Sequence, residues 1–234
     1  MPRAAARART ALCWLACCGA AQAQVGGSLT LASDYRYHGY SLSEGRPVAQ
    51  LLLTYDAPSG WYGGLQVSRA RGAPEREAGT DLLGYGGYAR RLDGGLALDV
   101  GVAAYTYSAM TTNNYQSIQL GVSAERVSAR MSYLPDYLGL GVRSVYLQAD
   151  AGQPLAAGFS LFGHLGHMQT LGTGRLYGRR SIADFRVGLG LTAGDWNLQL
   201  ARDGADTGAY NGYQDGAWTR AARSRTLLIA TRPF

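Results

Sequence analysis

The chain has 234 residues, enough for one domain, and no shift in composition divides it into two. It carries 22 basic and 16 acidic residues, for a formal charge of +6. Arg3, Arg7 and Arg9 lie close together at the start, and the remaining arginines are interleaved with acids, so no nucleic-acid-binding surface is predicted.

Residues 1–23 have the layout of a secretory signal peptide. An arginine-rich start precedes an apolar stretch, and Ala21-Gln22-Ala23 forms a small-x-small cleavage site. The mature barrel domain is predicted to span residues 24–234. All three cysteines fall in the leader, so no disulfide is predicted in the mature chain. An alternative is a lipoprotein signal acylated at Cys17 or Cys18, although the residues before them fit such a signal poorly.

From Ser28 onward, apolar residues recur at every second position in short segments separated by turn-forming residues, which predicts β-strands. In the first segment, Leu29 and Leu31 fall on one face while Asp34 and Arg36 fall on the other. The predicted strands span residues 28–38, 47–55, 61–69, 80–90, 96–107, 115–125, 128–134, 144–151, 159–168, 182–193, 196–202 and 225–234. The glycines of the segment 80–90 leave its facing open.

The connections between these strands alternate between long and short. Long stretches such as 70–79 and 203–220 alternate with tight turns such as 56–60 and 194–195. A soluble β-sandwich does not require this alternation, whereas a membrane barrel has short periplasmic turns and long extracellular loops. The pattern predicts an all-β fold: a transmembrane antiparallel up-and-down β-barrel of about 12 strands in the bacterial outer membrane, surrounded by lipid.

The last ten residues have the character of a closing strand. Thr226, Leu228 and Ala230 alternate onto one face, and the chain ends on Phe234. We expect this strand to pair with the first one, over residues 29–38, because that pairing would leave the sheet without edges.

The polar faces of the strands are predicted to line the lumen. The predicted pore-lining residues are Asp34, Arg36, Asp99, Gln119, Arg130, Gln148, Asp150, Asp184, Arg186 and Gln199. One interpretation is a porin through which small polar solutes diffuse, selected by pore width and mixed charge. The other is an internal salt-bridge network that braces or plugs the barrel, which would then act as a structural or binding protein through its loops.

Enzyme and metal chemistry find little support in the sequence. His164 and His167 are three residues apart and fall on opposite faces of a strand, so no metal site or cofactor is predicted. His38 and Ser41 are the only close His and Ser pair, but they straddle Gly39 on opposite parities. No enzyme is predicted, and a lipid hydrolase is the lesser alternative.

Several motifs carry a family resemblance. They are Ser33-Asp34-Tyr35, Gly39-x-Ser41-x-Ser43-Glu44-Gly45-x-Pro47, Gly60-Trp61-Tyr62-x-Gly64, Asp184-Phe185-Arg186-Val187-Gly188 and the terminal Phe234. Over nearly the whole mature chain they resemble the TorF-type porin family of bacterial outer membranes. The chain departs from that family at His38, where an arginine is usual, and at Pro233. The resemblance implies a porin fold, and it implies that Phe234 is recognised by the barrel-assembly machinery.

Overall fold

The computed structural model describes residues 24–70, 79–109, 111–176, 179–206 and 223–234. The predicted signal peptide and most of the predicted loops 70–79 and 203–220 lie outside these residues. The strands are β1 (Gln24–Ala32), β2 (Arg36–Tyr37), β3 (Tyr40–Ser41), β4 (Val48–Asp56), β5 (Trp61–Ala70), β6 (Gly79–Arg91), β7 (Ala97–Tyr107), β8 (Tyr115–Ser123), β9 (Val127–Leu134), β10 (Ser144–Pro154), β11 (Phe159–Thr170), β12 (Ser181–Ala193), β13 (Trp196–Ala205) and β14 (Arg225–Pro233). No helix in the described ranges is long and apolar enough to cross a membrane.

All strands except β2 and β3 form one closed antiparallel barrel, in which β1 pairs with both β4 and β14. This confirms the predicted twelve-stranded up-and-down barrel. The closing ladder runs from Ser28 opposite Pro233 to Ala32 opposite Ile229. The backbone of Phe234 extends it, because its N–H donates to the Gly27 carbonyl at 3.0 Å and its own carbonyl accepts from the Gly27 N–H at 3.1 Å.

The predicted pairing of the first and last strands is therefore confirmed, but the predicted extent of the first strand is wrong. β1 ends at Ala32 rather than at His38, and residues 33–47 turn into the barrel. The predicted strand could not run to its expected end, because His38 and Gly39 both adopt positive φ angles, of 47° and 73°, which an extended strand cannot contain.

The strand faces separate apolar from polar side chains. The large side chains exposed on the outer wall include Leu29, Leu31, Leu51, Leu53, Leu65, Leu98, Val100, Val102, Ile118, Leu120, Leu147, Leu165, Val187, Leu189, Leu198, Leu200 and Leu228. Such an apolar outer band suits lipid, and closure pairs the backbone groups within the wall. The structure also settles the facing of β6, whose Asp81 is buried on the inside and whose Leu82 and Tyr88 are exposed.

Short and long connections lie at opposite ends of the barrel, as predicted. The turns 57–60, 92–96, 124–126, 155–158 and 194–195 mark the short-turn end. At the long-loop end, apolar and aromatic side chains form a packed core inside the barrel. Its buried members are Tyr40, Tyr115, Leu134, Tyr137, Val142, Tyr146, Met168, Leu176 and Ile182. Apolar and aromatic side chains therefore occupy much of the interior at this end.

Candidate functional site

Residues 33–47, here called the inserted segment, form a compact double turn inside the barrel. β2 and β3 make a two-residue hairpin whose central residues are His38 and Gly39. Positive φ at both positions is the geometry of the tight hairpin turn that matches strand twist. Glu44 and Gly45 repeat the pattern, with φ angles of 58° and 74°. Two of the glycines in the sequence motif thus provide left-handed backbone at the two turns.

Asp34 organises the inserted segment. One of its carboxylate oxygens accepts hydrogen bonds from the hydroxyls of Ser41 and Ser43, the latter at 2.9 Å, and from the N–H of Gly45 at 3.1 Å. Ser43 also accepts a hydrogen bond from the N–H of Tyr35 at 2.8 Å. The spacing of Asp, Ser, Ser and Gly in the motif is therefore explained by one buried carboxylate that holds both turns.

Arg36 ties the segment to the barrel wall. Its guanidinium donates to Asp203 of β13, to the carbonyl of Gly39, and to Asp34 at 3.4 Å. Asp203 in turn accepts from Arg186 of β12 at 2.8 Å. The Arg36 side chain is 0% exposed and those of Asp34 and Asp203 are 3% and 4% exposed. Removing one member of such a buried network leaves an uncompensated charge, which is costly.

Aromatic side chains hold the opposite side of the segment. The Tyr37 hydroxyl donates to that of Tyr105 on β7 at 2.7 Å. The ring of His38 lies 3.9 Å from the rings of both Tyr37 and Tyr146, and its Nδ1 is 3.2 Å from the Tyr137 hydroxyl. Together with the Arg36 contacts, these interactions reach β7, β10 and β13, so the segment crosses the lumen.

The depth of the segment in the barrel affects its titratable groups. Desolvation raises the pKa of Tyr35 to about 12 and raises the pKa of Tyr37 well above its ordinary value. Desolvation also lowers the pKa of His38 to about 4. Asp184 raises this pKa and His164 lowers it, each by a smaller amount. Part of the residue still contacts solvent. His38 is therefore neutral at pH 7, which suits a ring packed between tyrosines.

Toward the short-turn end, polar side chains line the lumen, and this part of the lumen is here called the vestibule. It comprises Asp99, Gln119, Arg130, Gln148, Asp150 and Gln199. Arg130 donates to Asp99 at 2.7 Å, and Gln148 donates to Asp150 at 3.1 Å. The side chains of Arg130 and Asp150 are 40% and 31% exposed, so solvent enters this half of the barrel.

His164 of β11 lies between the vestibule and the inserted segment. Its Nδ1 is 2.7 Å from Asp150 and its Nε2 is 3.1 Å from Asp184. The Tyr146 hydroxyl also lies 3.2 Å from this Nε2, so the histidine, the tyrosine and the two carboxyl groups form one cluster. The Tyr146 hydroxyl donates to the same Asp184, at 3.0 Å from Oδ2. A continuous polar network thus runs from the vestibule to the residues around the segment.

The ten predicted pore-lining residues fall into two groups. Six form the vestibule, while Asp34, Arg36, Asp184 and Arg186 belong to the network around the inserted segment. The expectation that Asp34 and Arg36 lie on a wall strand is wrong, because β1 has ended before them.

The sequence interpretation missed three members of this network, namely Tyr146, His164 and Asp203. Strand parity could have found Tyr146, which shares its face of β10 with Gln148 and Asp150. It could also have found Asp203, which shares a face of β13 with Gln199.

The two candidate catalytic residues have separate partners. The Ser41 hydroxyl donates to Asp34, whereas His38 bonds to Tyr137. The described residues therefore do not place His38 to activate Ser41. His164 lies in the lumen and His167 is exposed, on opposite strand faces as predicted. Within the described ranges no group of three His, Cys, Asp or Glu residues could hold a metal ion.

Asp34→Ala should release the inserted segment from its docked position. The change removes the acceptor of three hydrogen bonds and one partner of Arg36, at a cost of about 3–5 kcal/mol. We expect trypsin to cleave the folded barrel after Arg36, which is fully shielded in the wild type. Asp136→Ala is the control, since Asp136 caps only an exposed turn through the Gly141 N–H at 2.6 Å. Equal protection of Arg36 in both variants would contradict the role of Asp34.

The closed twelve-stranded sheet, its apolar outer face and its polar interior define a β-barrel of the membrane-spanning type. The family model described as "bacterial protein of unknown function (Gcw_chp)" matches residues 17–231, so the chain belongs to that family. No curated protein matches the sequence.

Solved porins share the fold. The KdgM porin superposes with a TM-score of 0.52 at 12% identity, covering 89% of this chain and 98% of that chain. The NanC porin gives a TM-score of 0.55 at 14% identity, covering 87% of this chain and 97% of that chain. At these identities the likenesses show the fold alone.

Proposed function

We propose that the protein is an outer-membrane porin through which small polar solutes diffuse, and that the inserted segment restricts their passage. The observation that carries the proposal is the vestibule, a solvent-entered lumen of mixed charge that leads up to the segment. Side-chain exposure falls from 40% at Arg130 to 0% at Arg36 along this path. Solute selection would then combine the charges of the vestibule with the width left beside the segment.

A second candidate function has its own supporting observation. The packed core at the long-loop end and the segment crossing the lumen also suit a plugged structural or binding barrel that acts through its extracellular loops. The two candidates differ in one measurable property, which is whether ions pass through the barrel.

The remaining features of the proposal concern export and assembly. Residues 1–23 would direct export and be removed, and the chain would belong among TorF-type porins, surrounded by outer-membrane lipid. Phe234 would be the end recognised by the barrel-assembly machinery. The exposed apolar belt on the wall strands supports the lipid contact.

Planar-bilayer conductance of the purified barrel tests the proposed function. We expect small channels from the wild type and larger ones from a variant in which residues 35–45 are replaced by a Gly-Ser linker. Retention of the fold in the variant is checked by the shift in gel mobility on heating. Channels from neither protein at any voltage or salt would contradict the porin. Channels from the variant alone would favour the plugged barrel.

A further inference from the structure

Three aromatic side chains of the inner wall reach over glycines of neighbouring strands. In each case the aromatic residue stands directly opposite a glycine in the ladder, and both face the lumen. The pairs are Tyr62 with Gly87, Tyr85 with Gly64, and Phe162 with Gly188. A ring can lean across to the next strand only where the residue opposite has no side chain.

Atoms of the aromatic side chain occupy the space that a Cβ on each glycine would need. A Cβ built on Gly64 would lie 2.5 Å from Cζ and 2.8 Å from Cε1 of Tyr85. On Gly87 and on Gly101 it would lie 2.6 Å and 2.7 Å from the Tyr62 hydroxyl, so this ring extends over two strands.

The third pair is equally close. A Cβ on Gly188 would lie 2.6 Å from Cζ of Phe162 and 2.5 Å from the carbonyl oxygen of Leu200. Each glycine thus provides a slot that keeps a large ring against the wall instead of across the lumen.

Two of these rings border the vestibule charges. The Tyr62 and Tyr85 ring centroids are 6.4 Å apart, and the Tyr62 hydroxyl reaches over Gly101, which lies two residues from Asp99 on the same face of β7. The width available beside the Asp99 and Arg130 pair therefore depends on whether these rings stay in their slots.

We propose that the ring and glycine pairs, above all Tyr85 with Gly64, set the free width of the vestibule and with it the size limit for solutes. This inference rests on the proposed function, because it assigns residues that determine which solutes fit. A tyrosine forced off the wall would stand in the path of a solute, and a tyrosine removed altogether would widen it.

A double-mutant cycle at Gly64 and Tyr85 tests the inference. Gly64 is the suitable position because the nearest atoms to its built Cβ are all side-chain atoms of Tyr85, so the ring can move while the backbone stays. We expect Gly64→Ala to lower the single-channel conductance on the order of twofold and Tyr85→Ala to raise it. In Tyr85→Ala, adding Gly64→Ala should change nothing, because there is no ring to displace. The cycle is measured in the wild type and in the variant with residues 35–45 replaced.

Gly84→Ala is the control, since a Cβ on Gly84 meets nothing within 4 Å. A second measurement does not require conduction: nitration of Tyr85 by tetranitromethane, located by mass spectrometry, should be faster in Gly64→Ala than in the wild type or the control.

The outcomes separate the width role from the proposed function. If the barrels conduct but the Gly64 and Tyr85 variants do not change the conductance as expected, the width role is overturned and the proposed porin function stands. Unchanged nitration of Tyr85 in Gly64→Ala would overturn the slot itself. Barrels that conduct in neither background would overturn both the porin and the width role, even if nitration showed the ring displaced.

Discussion

Gly39→Ala is expected to expel the inserted segment from the lumen. A Cβ at this position would lie 2.6 Å from Cβ of Ala205, 2.8 Å from Cβ of Asp184 and 2.8 Å from the carbonyl oxygen of Gly204. One of these atoms is backbone of the wall and the others are fixed close to it, so the wall cannot yield cheaply. We expect the docked state to lose about 1–3 kcal/mol from this overlap, in addition to the cost of a left-handed alanine.

The measurements are tryptic cleavage after Arg36, which should rise above the wild-type rate, and bilayer conductance, which should rise toward that of the variant with residues 35–45 replaced. Gly141→Ala is a closely matched control. Gly141 has nearly the same φ, 68° against 73°, but nothing lies within 4 Å of its built Cβ. The two variants share the backbone strain and differ in the overlap alone. A wild-type cleavage rate in Gly39→Ala would show that the segment is not held as described.

Gly27→Ala is expected to weaken the closing seam of the barrel. Its Cβ would lie 2.7 Å from two ring carbons of Phe234 and 2.8 Å from the carbonyl oxygen of Leu52 on β4. The ring can move, but the carbonyl belongs to the wall, so we expect a loss of about 1–3 kcal/mol and a lower yield of folded barrel. Gel mobility of unheated samples measures the yield of folded barrel, and the midpoint of thermal unfolding measures the loss of stability.

Gly26→Ala provides the matched control for the seam. It lies next to Gly27 on β1, and its built Cβ meets only the Thr54 hydroxyl, at 3.3 Å. Deletion of Phe234 adds a second comparison, because it removes the ring and the two seam hydrogen bonds of that residue. If Gly27→Ala folded as well as Gly26→Ala, the packing of Phe234 on Gly27 would contribute nothing to closure.

Strand number, antiparallel order and closure could be predicted from the sequence, because each depends on a local pattern. Period-2 alternation marks a wall strand whichever strands lie beside it. The lengths of the connections then separate the two ends of the barrel. The facing of β6 could not be predicted, because its glycines carry no apolar signal, and only its pairing with β5 and β7 fixes it.

The inserted segment shows where local patterns fail. Tyr35 and Tyr37 continue the alternation of Leu29 and Leu31, so the period-2 pattern predicts a strand that continues through them. What turns the chain inward is a set of contacts distant in sequence, such as that of Arg36 with Asp203, which are 167 residues apart. The motif of Asp34, the serines and the glycines is a local signal for the turns, but it does not indicate that they lie inside a barrel.

The closing seam also limits the order in which the barrel can assemble. Thr30 meets Thr231 across 201 positions of chain, so the first strand has no partner on that side until the last strand exists. The anchor of Arg36 belongs to β13, which also appears late. The segment therefore cannot complete its Arg36 anchor before β13 has joined the wall. Folding intermediates trapped before closure should accordingly be protease-sensitive at Arg36 even where their finished strands are protected.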